Sequence, residues 1–302
     1  MKNTIFTGAA VAITTPFNLD GSINYEGLGK NIDYQIDNNT DAIVICGTTG
    51  ESSTMTEEEH LECIKFAIDY TNHRVPVIAG TGSNDTRCAI ELSVEAQKLG
   101  ADGLLLVTPY YNKTTQAGLL NHFTIIANSV NIPIILYNIP GRTGLNISVE
   151  TAEKLAHHRN IVAMKEASGN ISYTAQIAAT CGDLIDIYSG NDDMIVPIMS
   201  LGGKGVISVL SNILPKETHE IAQLCLDNNF QKAGELQLKY LELINSLFCE
   251  VNPIPVKEAM NRLGMPAGDC RMPLTKMSAD NVARLLSAMQ NVGLPVSVVD
   301  EY

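Results

Sequence analysis

Cations are scarce in this chain of 302 residues: 20 Lys and Arg stand against 33 Asp and Glu, a formal net charge of −13. A field of that sign repels polyanions, which argues against nucleic acid and anionic membrane surfaces as partners. A small anionic substrate must instead be held by local donors and individual cations. Paired cysteines are missing as well. The seven, at 46, 63, 88, 181, 225, 249 and 270, are odd in number, widely spaced and without a Cys-x-x-Cys pair. That is the pattern of reduced thiols rather than of a disulfide framework. No apolar stretch approaches membrane-spanning length, and the opening Met1-Lys2-Asn3-Thr4-Ile5-Phe6 lacks the apolar region of a signal peptide. The expectation is a cytoplasmic protein.

What the chain does have is 45% hydrophobic residues arranged in a regular alternation. Short apolar runs at 8–15, 42–46, 75–79, 103–107, 133–137, 161–165, 184–188 and 205–209 read as eight strands. Amphipathic segments separate them. One opens on Thr56 with Glu59 three residues later, a capping box, and another runs from Asn84 to Leu99 before Gly100, a C-cap. Strands alternating with helices imply a parallel sheet covered by helices, and eight such units within residues 1–228 have the size of a (β/α)8 barrel. A doubly wound sheet is the alternative, but its nucleotide fingerprint is absent. Residues 229–302 carry apolar positions at helical spacing only, over 230–248, 255–263 and 280–290, and read as a C-terminal helical appendage.

In such a barrel the loops after the strands build the active site and the opposite face stabilises. Four polar clusters fall on the loop side: Gly47-Thr48-Thr49-Gly50-Glu51-Ser52, Thr108-Pro109-Tyr110-Tyr111-Asn112, the segment from Tyr137 to Gly144, and Lys165-Glu166-Ala167-Ser168. Lys165 ends the apolar run Ile161-Val162-Ala163-Met164. Burial there strips hydration from an ammonium and lowers its pKa, leaving a free amine able to form a Schiff base with a ketone. Alone, Lys165 reads rather as a structural ion pair or a side chain reaching solvent from a strand end; its company on the rim turns the reading toward catalysis. Strand parity puts Ile161, Ala163 and Lys165 on one face and Ile135 with Tyr137 on the matching one, so Lys165 and Tyr137 should both point into the barrel. A phenol beside the amine can move the protons that Schiff-base formation requires, and Thr48 or Thr49 with Tyr111 could extend that relay to solvent.

Gly47–Gly50 supplies backbone N–H groups for a carboxylate, although no Gly-Lys-Ser/Thr follows, so it is not a nucleotide loop. Arg142 can present two donors to a second carboxylate. Gly202-Gly203-Lys204-Gly205 precedes strand 8 and reads as a tight turn on the stabilising face. Cys46, the thiol on the rim, reads as inert packing. The six histidines (60, 73, 122, 157, 158 and 219) lie in helical or helix-end segments rather than at strand ends, so neither a metal nor another cofactor is expected.

Gly47–Glu51, Pro109–Tyr111, Tyr137–Gly144 and Lys165–Ser168, in this order, resemble the dihydrodipicolinate synthase family, a branch of the pyruvate-dependent class I aldolases, over essentially the whole chain. The resemblance implies condensation of pyruvate with L-aspartate 4-semialdehyde, at the entry to diaminopimelate and lysine synthesis. It implies an imine on Lys165 and a relay of Tyr137, Thr49 and Tyr111. Thr48, Thr49 and the backbone near Ile207 would hold the pyruvate carboxylate, and Arg142 the semialdehyde. It also implies a homotetramer, a dimer of dimers, in which Tyr111 reaches the neighbouring subunit's site. Sialic acid lyases of the same superfamily typically lack an arginine at position 142, so Arg142 favours the synthase over a sugar-acid aldolase. A non-catalytic barrel that binds a keto acid is the third reading. Lysine-inhibited members carry a histidine and a glutamate where Glu57 and Cys88 stand here, while His60, Asn84 and Tyr110 remain compatible. Lysine inhibition is therefore expected to be weak or absent.

Overall fold

The computed structural model describes residues 4–296. The eight apolar runs form strands β1 (Gly8–Ala12), β2 (Ala42–Ile45), β3 (Val77–Gly80), β4 (Gly103–Val107), β5 (Ile134–Asn138), β6 (Ile161–Glu166), β7 (Asp186–Ser189) and β8 (Gly205–Ser208). Each pairs in parallel with the next and β8 returns to β1, closing a barrel. Around it run α1 (Tyr25–Asp37), α2 (Glu57–Thr71), α3 (Thr86–Leu99), α4 (Gln116–Ser129), the short α5 (Pro140–Thr143), α6 (Val149–Ala156), α7 (Ile171–Cys181), α8 (Ile195–Ser200) and α9 (Pro215–Leu226). Three further helices follow: α10 (Phe230–Ser246), α11 (Ile254–Arg262) and α12 (Ala279–Asn291). This is the (β/α)8 barrel with a C-terminal helical appendage that the alternation predicts.

Local chemistry explains where the elements start and stop. Thr56 Oγ1 accepts from Glu59 N (3.2 Å) while Glu59 Oε2 accepts from Thr56 N (3.0 Å), the reciprocal box that opens α2. Helix α3 is capped by Asp85, not begun at Asn84, and ends at Gly100 with φ 97°. Strand β1 stops at Ala12, short of the expected Thr15, because Thr14 N donates to Asn212 Oδ1 and Thr15 Oγ1 to Gly50 O instead of continuing the ladder. Strand β3 starts after Pro76, which has no N–H to give to a sheet.

The two faces of the strands do different work. Ala10, Ala12, Ala42, Val44, Ile78, Leu105, Ile135, Tyr137, Ala163 and Ile207 pack together inside the barrel, with Phe6 stacked on Tyr188 at 4.3 Å closing one end. The alternate positions, Val11, Ile43, Leu104, Leu136 and Met164 among them, pack outward against helices. Strand β6 departs from simple parity: Ile161 packs outward and Val162 joins the inner cluster. A register shift at Ile134/Ile135, where Ile134 pairs with Ile161 and Ile135 with Ala163, resets the alternation. Beyond it Ala163 and Lys165 share the inner face as parity requires.

Helices α10 to α12 share one apolar cluster with α8, α9, Ala9 of β1 and Val206 of β8. They therefore wall the barrel on its closing seam. Gly202–Gly205 turns into β8 as expected, with Lys204 N bonded to Ile187 O and Lys204 O accepting from Gly8 N.

Candidate active site

The loop after β2 carries two residues in the left-handed region, Cys46 and Glu51, each with φ 56°. Non-glycine residues pay for that conformation, so something must hold it. The Glu51 carboxylate is almost fully buried and spans to the C-terminal helices: Lys257 Nζ donates to Oε1 (2.8 Å) and Arg271 N to Oε2 (2.9 Å). Lys257 also donates to Asp269 O (3.0 Å) and lies 4.3 Å from the centroid of the Phe17 ring, which Arg271 approaches at 4.4 Å. Gly80 makes room for the loop, since a Cβ there would stand 2.4 Å from Cys46 O. Thr49, buried inside this fold, accepts from Asn252 Nδ2 (3.0 Å), and Asn252 O in turn accepts from Arg142 Nη2 (3.2 Å). One residue of the appendage thus ties the threonine loop to the arginine.

Lys165 and Tyr137 are directly paired across β5 and β6, and both are buried. The ammonium nitrogen lies 4.3 Å from the Tyr137 ring centroid, against its face. The Lys165 pKa is lowered from 10.5 to about 7: burial is the main cause, the Asp192 carboxylate opposes it, and the Arg142 charge adds to the fall. Burial pushes the Tyr137 phenol up to about 12 against the pull of Arg142 and Thr48, so it stays protonated at neutral pH. Glu166, next along β6, is occupied elsewhere: it accepts from Asn138 Nδ2 (2.8 Å) and Ser168 N (2.7 Å). An uncharged amine beside a protonated phenol is a nucleophile with its proton donor in place.

Thr48, Tyr137 and Arg142 share a cavity of about 390 Å³ whose other side is formed by Glu57, His60 and Cys88. Cys46 is therefore not alone on the rim, because Cys88 joins it, with Sγ 3.8 Å from Glu57 Oε1. Burial raises the pKa of both thiols. His60 lies in α2 as expected, yet its Nε2 reaches Gly80 O at the end of β3 (2.8 Å), and burial keeps the ring neutral. Ile207 sits on β8 within the inner cluster that holds Tyr137. Lys165, Thr49 and Ile207 are buried behind the cavity walls rather than among them, and Tyr111, also not a wall, stands apart at 92% exposed with φ 67°. Asp192, Asn252 and Lys257 are absent from the sequence-based reading. Asp192 was legible as a carboxylate one loop beyond β7; the other two carry no motif.

Similarity to known proteins agrees with this geometry. The model of the dihydrodipicolinate synthetase family matches residues 5–292. The 4-hydroxy-tetrahydrodipicolinate synthase of Lachnoclostridium phytofermentans is 60% identical over 291 residues, 96% of this chain and 99% of that protein. The one from Caldicellulosiruptor bescii is 57% identical over 97% of this chain and 99% of its own length. Among solved structures, the chloride-inhibited dihydrodipicolinate synthase of Acinetobacter baumannii complexed with pyruvate superposes with a TM-score of 0.94, at 44% identity, over 97% of this chain and 100% of that one. The chain belongs to the dihydrodipicolinate synthetase family.

Proposed function

We infer that this chain condenses pyruvate with L-aspartate 4-semialdehyde to give 4-hydroxy-tetrahydrodipicolinate, the first committed step of diaminopimelate and lysine biosynthesis. The observation that carries this is Lys165, a buried amine with a pKa near 7 at the mouth of the barrel, in a chain 60% identical to a synthase of that name. The amine adds to the ketone of pyruvate and water leaves with the carbonyl oxygen. Loss of a C3 proton then gives an enamine, which attacks the aldehyde.

The assignment of roles follows from where the groups lie. Tyr137, protonated and in contact with Lys165, serves as the proton donor to the carbinolamine oxygen. Thr48 and Thr49, with backbone N–H groups of their loop and near Ile207, hold the pyruvate carboxylate. Arg142, anchored to Asn252 O, meets the carboxylate of the semialdehyde. Tyr111, exposed on its own chain, completes the relay in the site of a second copy, which makes a dimer the minimal working unit and a homotetramer the assembly. Among the described residues no helix is long and apolar enough to cross a membrane, in keeping with cytoplasmic residence.

The test is consumption of pyruvate with aspartate semialdehyde as sole acceptor, paired with borohydride trapping. Pyruvate and borohydride should add a pyruvyl-derived mass to the peptide containing Lys165 and to no other lysine. An unmodified peptide would remove the Schiff-base mechanism. Pyruvate released from sialic acid, with indifference to the semialdehyde, would reassign the substrate.

A further inference from the structure

We propose that Asn252, in the turn between α10 and α11, is a positioning residue that aims the Thr49 hydroxyl at the carboxylate of pyruvate and steadies Arg142 for that of the second substrate. This rests on the Schiff-base reading above. Asn252 is 5% exposed, and its side chain makes a single hydrogen bond among the described residues, from Nδ2 to Thr49 Oγ1 (3.0 Å). Its Oδ1 is buried without a hydrogen-bond partner among them. An amide oxygen left bare in the interior costs free energy that an apolar side chain of similar volume avoids. Packing alone therefore does not explain an asparagine here, and the donor turned toward Thr49 does.

A hydroxyl has one hydrogen to give and two lone pairs to receive with. Asn252 occupies a lone pair of Thr49 Oγ1, and the buried Thr49 side chain makes no other hydrogen bond among the described residues. The Thr49 hydrogen is thereby directed away from Asn252 and left for an oxygen of the ligand. A hydroxyl that accepts from an amide is also the stronger donor, because hydrogen bonds in a chain polarise one another.

The same residue reaches Arg142 through its backbone. Asn252 O accepts from Arg142 Nη2 (3.2 Å), the one hydrogen bond that this exposed guanidinium makes among the described residues. A single anchor restrains a side chain that is otherwise free to swing, and the other donors of the fork stay available to a carboxylate. The turn that carries Asn252 is itself held. Ile254 N donates to Val251 O across it (2.9 Å), and Lys257, in the first turn of α11, donates to Glu51 Oε1 (2.8 Å). Turn and threonine loop are thus clamped at two points, Thr49–Asn252 and Glu51–Lys257, and the groups for both carboxylates are set from one anchor.

Borohydride trapping over a range of pyruvate concentrations reads the first arm. Asn252→Ala should raise the half-saturating concentration about fivefold, the worth of one neutral hydrogen bond, and should raise it no further in a Thr49→Val background. Equal losses in the two backgrounds, or no loss in either, overturn the proposal, while absence of imine in the parent overturns the Schiff-base reading instead. With pyruvate saturating, the KM for semialdehyde should rise about threefold, the lower end for one hydrogen bond, with kcat little changed. A fall in kcat with both KM values unmoved is the mark of a merely structural tie and refutes the positioning role. Should the alanine variant not fold, Asn252→Leu keeps the volume and removes both the donor and the bare oxygen. It should unfold no more easily than the parent yet bind pyruvate about fivefold more weakly; parent-like trapping by this variant overturns the proposal.

Discussion

Replacing Lys165 with methionine keeps an unbranched side chain, one atom shorter, and removes the titrating amine, which turns the lowered pKa into a measurable stability. The unfolded chain holds a proton on this lysine up to pH 10.5, whereas the folded one sheds it at about pH 7. Between those values the unfolded state binds the extra proton, so stability rises with pH across the window and is lowest below it. The slope approaches about 1.4 kcal/mol per pH unit, and integrating both titrations from pH 7 to pH 10 gives roughly 3–4 kcal/mol for this one group. Methionine titrates nothing, so the gap between the two proteins should move by that amount in the parent's favour from pH 7 to pH 10. Any cost of packing the methionine displaces the whole variant curve and does not enter the slope. Urea unfolding followed by circular dichroism at half-unit pH steps measures it. Parallel curves for parent and variant over this range would mean that Lys165 keeps an ordinary lysine pKa, and the argument for a free amine would fall.

Three further outcomes follow from the same geometry. Tyr137→Phe should retain imine trapping on Lys165 but lower turnover on the order of 10²-fold, the scale of a lost general acid; a fully active variant would remove the relay. Lys257→Met leaves the Glu51 carboxylate buried with only Arg271 N, and should cost about 3–5 kcal/mol in denaturant unfolding and lower kcat by loosening the threonine loop. Adding Glu51→Gln should recover part of that stability, and an additive double variant would show that the two groups do not interact. Free lysine at sub-millimolar concentration should leave the turnover unchanged, because Glu57 and Cys88 face each other where lysine-inhibited relatives are expected to carry histidine and glutamate; half-inhibition in that range contradicts it.

The barrel was legible because its signals are local. Each strand spans four to six residues on or overlapping a short apolar run, and the caps at Thr56 and Gly100 are read within a few residues of themselves. Boundaries slipped where a local rule met a distant partner. Thr14 leaves β1 for Asn212, 198 residues away, and no pattern near position 14 announces that bond. The same holds for the inner face of β6. Strict alternation would face Ile161 inward, and only the register against β5 shows that Val162 takes its place.

The site divides along the same line, and the division follows from what each part must do. The residues proposed to touch a substrate lie on one rim, where the fold itself confines them, so Lys165, Tyr137, Thr48 and Arg142 can be found by asking which polar groups share it. Residues that hold those groups need only be adjacent in space. Glu51 meets Lys257 across 206 residues and Thr49 meets Asn252 across 203; Lys257 stands in a helical segment that reads as packing, and Asn252 in the turn before it. Yet the strained Cys46–Glu51 loop, with its buried carboxylate, raises the free energy of the folded chain and requires a compensating contact close by. A glutamate buried two residues past the threonine pair needs a buried cation from elsewhere in the sequence. Lys257 is the residue that answers it.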